Sequence, residues 1–171
     1  WRPRTNLVRG GTMRSQFGET SEAIFLTSGF VYDSAEQAKA CFKGENDHFI
    51  YSRYSNPSVS MFEERLRLLE GTKFCQATAS GMGAVFAALM CQLKAGDHLV
   101  ASRALFGSCD YICTVLAPQY GVRVTMVDGT DLNQWEMALS QPTAMVFMET
   151  PSNPTMEIIN LEAVSKMAHK A

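Results

Sequence analysis

The chain has 171 residues, a formal net charge of -2, 19% charged residues and 46% in the hydrophobic set. That length suits one domain and is enough for a hydrophobic core without disulfide staples. The composition excludes global disorder, and the charge balance lacks the basic footprint of sequence-independent nucleic-acid binding. No apolar run approaches the roughly 18 residues of a transmembrane helix.

The opening residues, Trp1-Arg2-Pro3-Arg4-Thr5-Asn6, are cationic with no apolar stretch behind them, so they do not read as a signal peptide. Residues 1–55 are polar and aromatic, with one evident helix over 34–42, opened by Asp33 with Glu36 three residues on. This stretch is expected to be an extended arm rather than a second domain. From 56 the pattern alternates. Asn56-Pro57 reads as an N-cap with proline in the first turn, and Val59, Phe62, Leu66 and Leu69 follow at helical spacing until Gly71.

A strand over 74–78, a helix over 81–93 and a strand over 98–101 come next, then a helix over 108–120. A strand at 122–126, a helix over 131–139, a strand over 144–148 and a last helix over 161–170 complete the chain. This alternation predicts an α/β fold with a mostly parallel sheet and flanking helices. The final helix has neither a cap nor a following strand, and the chain reads as the front part of something larger.

Five cysteines (Cys41, Cys75, Cys91, Cys109 and Cys113) form no C-x-x-C pair. They read as buried, reduced thiols, which implies a cytoplasmic protein. His48, His98 and His169 are scattered and read as surface or hydrogen-bonded core residues, with no metal implied.

Ligands of open parallel sheets bind beyond the carboxyl ends of the strands. Three segments are expected there. Thr78-Ala79-Ser80-Gly81-Met82-Gly83 is a loose phosphate-cradle signal, matching neither a P-loop nor a dinucleotide fingerprint, and close helix–sheet packing would explain it equally. Phe106, in Arg103-Ala104-Leu105-Phe106-Gly107-Ser108, offers a stacking face, although such a residue is commonly plain core. Glu149-Thr150-Pro151-Ser152-Asn153-Pro154 places prolines on either side of Ser152-Asn153, which constrains the backbone more than a simple turn needs. In the arm, Arg53 of Tyr51-Ser52-Arg53-Tyr54-Ser55-Asn56-Pro57 suits a bidentate phosphate contact, or is merely solvated.

In that order and spacing, these motifs resemble the Cys/Met-metabolism family of pyridoxal-phosphate enzymes, which includes cystathionine synthases and lyases. Arg14–Ala23, Thr27–Tyr32, Ala77–Met82 and Phe106, where many relatives carry tyrosine, resemble the branch of O-succinylhomoserine sulfhydrylases. The likeness runs over nearly the whole chain. It implies residues 1–55 as an arm reaching a neighbouring subunit and 56–171 as the incomplete large domain of a fold-type I transferase. It also implies pyridoxal 5'-phosphate as cofactor. Ser80, Gly81 and Met82 would hold its phosphate, Tyr51 and Arg53 would reach the phosphate of a neighbouring subunit, Phe106 would stack on the ring, and Asn153 would contact the ring oxygen. Ser152 and Glu149 are supporting candidates.

The implied reaction is exchange of succinate in O-succinyl-L-homoserine for sulfide, in methionine biosynthesis, by a cytoplasmic homotetramer with no membrane or nucleic-acid partner. Alternatives are a cystathionine γ-synthase, a γ-lyase or, more remotely, a dinucleotide-binding module. The family's cofactor-holding lysine lies in a downstream Ser-x-Thr-Lys segment that does not occur here. The resemblance places its pyridinium aspartate on the strand after the 161–170 helix and its carboxylate-binding arginine in a C-terminal domain, both outside these residues. No catalytic residue is therefore assigned, and residues 1–171 alone are expected to be inactive.

Overall fold

A computed structural model describes all 171 residues. They form two compact units, Trp1–Ala77 and Thr78–Ala171.

In the first unit, α1 (Pro3–Arg9) has proline at its start and packs on α3 (Pro57–Glu70). Pro3 in its first turn is its one start signal: α1 has no side-chain cap and no buried residue. α2 (Ala35–Phe42) is capped by Ser34, whose hydroxyl accepts from the Gln37 N–H, while the Gln37 amide oxygen accepts from the Asp33 N–H. The cap is thus Ser34 with Gln37, one residue later than the expected Asp33/Glu36, and the Gln37 side chain reaches one residue past the cap.

α3 behaves as its ends dictate. Asn56 accepts from the Ser58 N–H, Pro57 occupies the first turn, and Gly71 ends the helix in the left-handed region at φ 66°. α3 belongs to this N-terminal unit. The face of α3 that packs is Met61 and Leu68, whereas Val59, Phe62, Leu66 and Leu69 remain exposed. Residues 74–78 form no strand. The Ala77 N–H is taken by the Glu63 carboxylate at 2.7 Å.

The second unit is a three-layer α/β assembly. Its sheet has the order β2 (Arg123–Val127), β1 (His98–Ser102), β3 (Met145–Phe147), with both pairings parallel. The mostly parallel sheet with flanking helices is as expected from the alternation. β1 is central and buried throughout, as a strand covered on both faces must be.

Alternate residues of β1 serve opposite layers. Leu99 and Ala101 pack with Leu89 of α4 (Gly81–Met90), Cys109 of α5 (Gly107–Tyr111) and Ile112 and Cys113 of a following π-helical turn (Ile112–Leu116). A short α6 (Ala117–Gln119) completes what the periodicity reads as one helix over 108–120. Val100 packs on the other side with Trp135 of α7 (Leu132–Ala138) and Val164 of α8 (Leu161–Ala168). Trp135 is fully buried, and its indole N–H donates to the Gly129 carbonyl at 3.0 Å. Gly129 permits a close approach: a Cβ there would lie 2.7 Å from Ile159. The sheet thereby points the loops after β1 and β3, and the start of α4, toward one edge.

Candidate active site

A cavity of about 560 Å³ opens among the start of α4, the β1–α5 loop and the end of β3. Ser80, Gly81, Met82, Val85, Phe106, Cys109, Phe147, Met148 and Glu149 line it.

Its floor is a helix start. Ser80 caps α4, its hydroxyl oxygen accepting from the Gly83 N–H at 3.0 Å, while the Thr78 hydroxyl donates to the Ser80 carbonyl at 2.7 Å. That leaves the first two helical N–H groups, of Gly81 and Met82, without partners in the chain. They present two donors and the positive end of a ten-residue helix to the cavity. A Cβ built at Gly81 would meet no atom within 4 Å, and its φ is not positive. Neither internal packing nor backbone conformation requires glycine there. The missing side chain instead leaves room directly above two free donors.

The wall is aromatic and apolar. Phe106 stands immediately before α5 with 44% of its surface exposed, so its ring is not plain core. Cys109 Sγ lies 3.9 Å from Met82 Sδ. Burial, and secondarily the nearby Glu149 carboxylate, push the Cys109 thiol above the usual cysteine range. A thiol shifted in that direction is a poorer nucleophile than an ordinary cysteine. Val85, Cys109, Phe147 and Met148 were not singled out from sequence. Their only signal was position: Phe147 and Met148 end the most apolar strand, and Cys109 lies three residues after Phe106, within the first turn of α5.

The loop after β3 is organised from within. Ser152 is fully buried, its hydroxyl bonded to the Thr155 hydroxyl at 2.7 Å and accepting from the Glu157 N–H at 2.9 Å. Ser152 holds the loop together and is closed to a ligand. Asn153 is exposed, and its N–H donates to Glu149 Oε1 at 3.0 Å. Its side chain does not line the cavity.

Tyr51 and Arg53 belong to the first unit. Tyr51 bridges Gly29 in antiparallel fashion, and the Ser52 N–H donates to the Ser28 carbonyl at 2.9 Å. Buried Asn56 anchors this turn, donating to the Phe25 carbonyl at 3.0 Å and the Ser52 hydroxyl at 2.9 Å. The Arg53 guanidinium lies 5.3 Å from the Tyr51 ring centre and 5.9 Å from that of Tyr54, with no carboxylate partner. It is an exposed cation lying beside two aromatic rings.

No group of three His, Cys, Asp or Glu side chains could hold a metal. What the cavity offers is a pair of free N–H donors for an anion, a flat ring and apolar walls. A planar, phosphorylated aromatic molecule such as pyridoxal phosphate fits this donor set. None of the six lysines lines it.

Comparison with known proteins gives the same cofactor. The chain is 58% identical over 164 residues to the O-succinylhomoserine sulfhydrylase of Mycobacterium tuberculosis, covering 96% of this chain and 40% of that protein. It is 40% identical over 166 residues to the L-methionine γ-lyase of Porphyromonas gingivalis, covering 97% and 42% respectively. Its fold superposes, with a TM-score of 0.89 and 28% identity, on a Campylobacter jejuni protein designated an O-acetylhomoserine (thiol)-lyase, over 99% of this chain and 42% of that one. The crystal structure of that protein contains N'-pyridoxyl-lysine-5'-monophosphate. The chain thus spans about two fifths of the length of the relatives it matches. The profile of the Cys/Met metabolism PLP-dependent enzymes matches residues 4–171, and the chain belongs to that family.

Proposed function

We propose that the protein containing this chain replaces the succinate of O-succinyl-L-homoserine with sulfide, giving L-homocysteine and succinate in methionine biosynthesis. The supporting observation is the margin in likeness: 58% identity to a sulfhydrylase against 40% to a γ-lyase over nearly the same span.

In this reading Gly81 and Met82 donate their N–H groups to the cofactor phosphate, and the Ser80 hydroxyl adds a third donor beside them. Phe106 covers one face of the ring, and Asn153, whose side chain stands outside the cavity lining, has to turn its amide inward to reach the ring oxygen. Val85, Phe147 and Met148 exclude water from the apolar wall. Pyridoxal phosphate, when bound, withdraws electrons from the substrate carbons so that the γ-substituent can leave.

Tyr51 and Arg53 serve the phosphate of a neighbouring subunit, making residues 1–55 an arm and 56–171 the first part of the cofactor-binding domain. The assembly is a homotetramer of active-site-sharing dimers in the cytoplasm. No helix is long and apolar enough to cross a membrane. Residues 1–171 alone are inactive, because no lysine here stands where the cofactor could be held covalently.

The test supplies the whole protein with O-succinylhomoserine and either sulfide or cysteine, and separately with methionine. Homocysteine with stoichiometric succinate supports the reading. Cystathionine as the main product would make it a γ-synthase. Methanethiol with 2-oxobutyrate and ammonia from methionine would make it a γ-lyase, the second reading, supported by the relative at 40% identity.

A further inference from the structure

Resting on the pyridoxal phosphate reading of this cavity, we propose that Glu149 is a positioning residue whose carboxylate sets where the Phe106 ring and Asn153 stand. Its Oε2 accepts from the Phe106 N–H at 2.8 Å, and its Oε1 accepts from the Asn153 N–H at 3.0 Å. The two donors sit on loops that leave different strands, β1 and β3, which are neighbours in the sheet. Glu149 itself belongs to the β3 loop, so the Phe106 bond is the one hydrogen bond between those loops and the Asn153 bond closes the β3 loop on the same carboxylate.

The Phe106 ring is too exposed for packing alone to hold it, and no side chain caps α5. Asn153 is likewise exposed. Glu149 follows β3 by two residues, is half-buried and lines the same cavity. A carboxylate has two oxygens at a fixed separation, so holding one N–H on each couples the two loops. Charge-assisted bonds to backbone N–H groups are among the stronger hydrogen bonds. With both oxygens engaged, Glu149 acts through the residues it holds rather than on the substrate.

Glu149→Gln keeps the shape but presents an NH₂ group to one of the two backbone donors, so one tie must break. In the whole, cofactor-free protein, hydrogen exchange at the Phe106 or Asn153 amide should accelerate on the order of tenfold, with the melting temperature little changed. The Kd for added pyridoxal phosphate should rise on the order of tenfold, and the induced circular dichroism of the bound cofactor should change.

Phe106→Ala is the companion variant. If it weakens pyridoxal phosphate binding while Glu149→Gln leaves Kd and dichroism unaltered, the positioning role is overturned and the cavity reading stands. If Phe106→Ala leaves binding unaltered, the cavity reading itself falls, and the proposal falls with it. Should Glu149→Gln fail to fold, Glu149→Asp, which keeps the charge but is one carbon too short to span both amides, is expected to show the same signature. Unfolding of both variants would assign Glu149 to folding rather than positioning and overturn the proposal.

Discussion

His98 Nδ1 lies 2.9 Å from Thr143 Oγ1, and this contact settles which ring nitrogen carries the proton. The Thr143 hydroxyl already donates to the Gln141 carbonyl at 3.0 Å, so it can only accept from the ring. Nδ1 therefore bears the hydrogen, and Nε2 accepts from the Thr125 hydroxyl at 2.8 Å. The buried neutral imidazole ties β1 to β2 on one side and to the segment leading into β3 on the other.

Burial, and secondarily the Arg123 charge, hold the His98 pKa below the ordinary histidine value. The unfolded chain then binds more protons than the folded one between the two pKa values. The contribution of His98 is fully present above the unfolded value, about 6.5, and is lost as pH falls through the lower folded value. Melting temperatures followed from pH 7.5 downward should fall more steeply for the parent than for His98→Gln. At neutral pH that variant should lose about 1–3 kcal/mol, the cost of unsettling buried hydrogen bonds. Parallel pH profiles would show that His98 does not titrate in this range.

Phe106 should tolerate tyrosine and not alanine. Stacking needs a flat face, so Phe106→Tyr retains pyridoxal phosphate in the whole protein, whereas Phe106→Ala loosens it by about 1–3 kcal/mol. Titration followed by cofactor absorbance distinguishes the two.

Arg53→Ala should weaken cofactor retention more than removing a solvated surface charge such as Arg4 does. If Arg53 serves a neighbouring subunit's phosphate, as proposed, hybrid assemblies of Arg53→Ala with a variant lacking the cofactor-holding lysine should recover part of the activity. Retention equal to that of the parent would leave Arg53 as an ordinary surface cation.

The thiols should separate by burial. Cys113 is fully buried, and burial, with smaller contributions from neighbouring Asp110 and Cys109, pushes its thiol up to about 12. At pH 8 its reactive thiolate fraction is on the order of 10⁻⁴. Cys109 is raised in the same direction. In the folded chain, iodoacetamide should reach exposed Cys91 first and label Cys109 and Cys113 only after denaturation. Early labelling of Cys113, read by peptide mass, would mean that the π-helical turn opens.

Much of the fold was legible because its signals are local. Asn56-Pro57 and Gly71 bound α3 as a cap, a first-turn proline and a left-handed stop each dictate. The hydrophobic alternation placed β1, β2 and β3 and the helices between them. The order of short motifs pointed to the cofactor family before any contact was known. Ser80, Gly81, Met82 and Phe106, distant in sequence, were expected at one edge because parallel strands all deliver their loops to the same side.

What the sequence could not determine depended on partners. Residues 74–78 have strand composition but pair with no strand, and a ladder needs a partner. The apolar stripe of α3 has helical spacing, yet periodicity names a face without naming what covers it. Ser152 and Asn153 look alike as polar residues between prolines. Only the folded loop buries one and exposes the other, because the Ser152 hydroxyl meets Thr155 and Glu157 while Asn153 offers its backbone to Glu149. Propensity and spacing act within a few residues and can be read from the chain. The tie from Glu149 to Phe106 closes across 43 residues and exists only once two strands have paired.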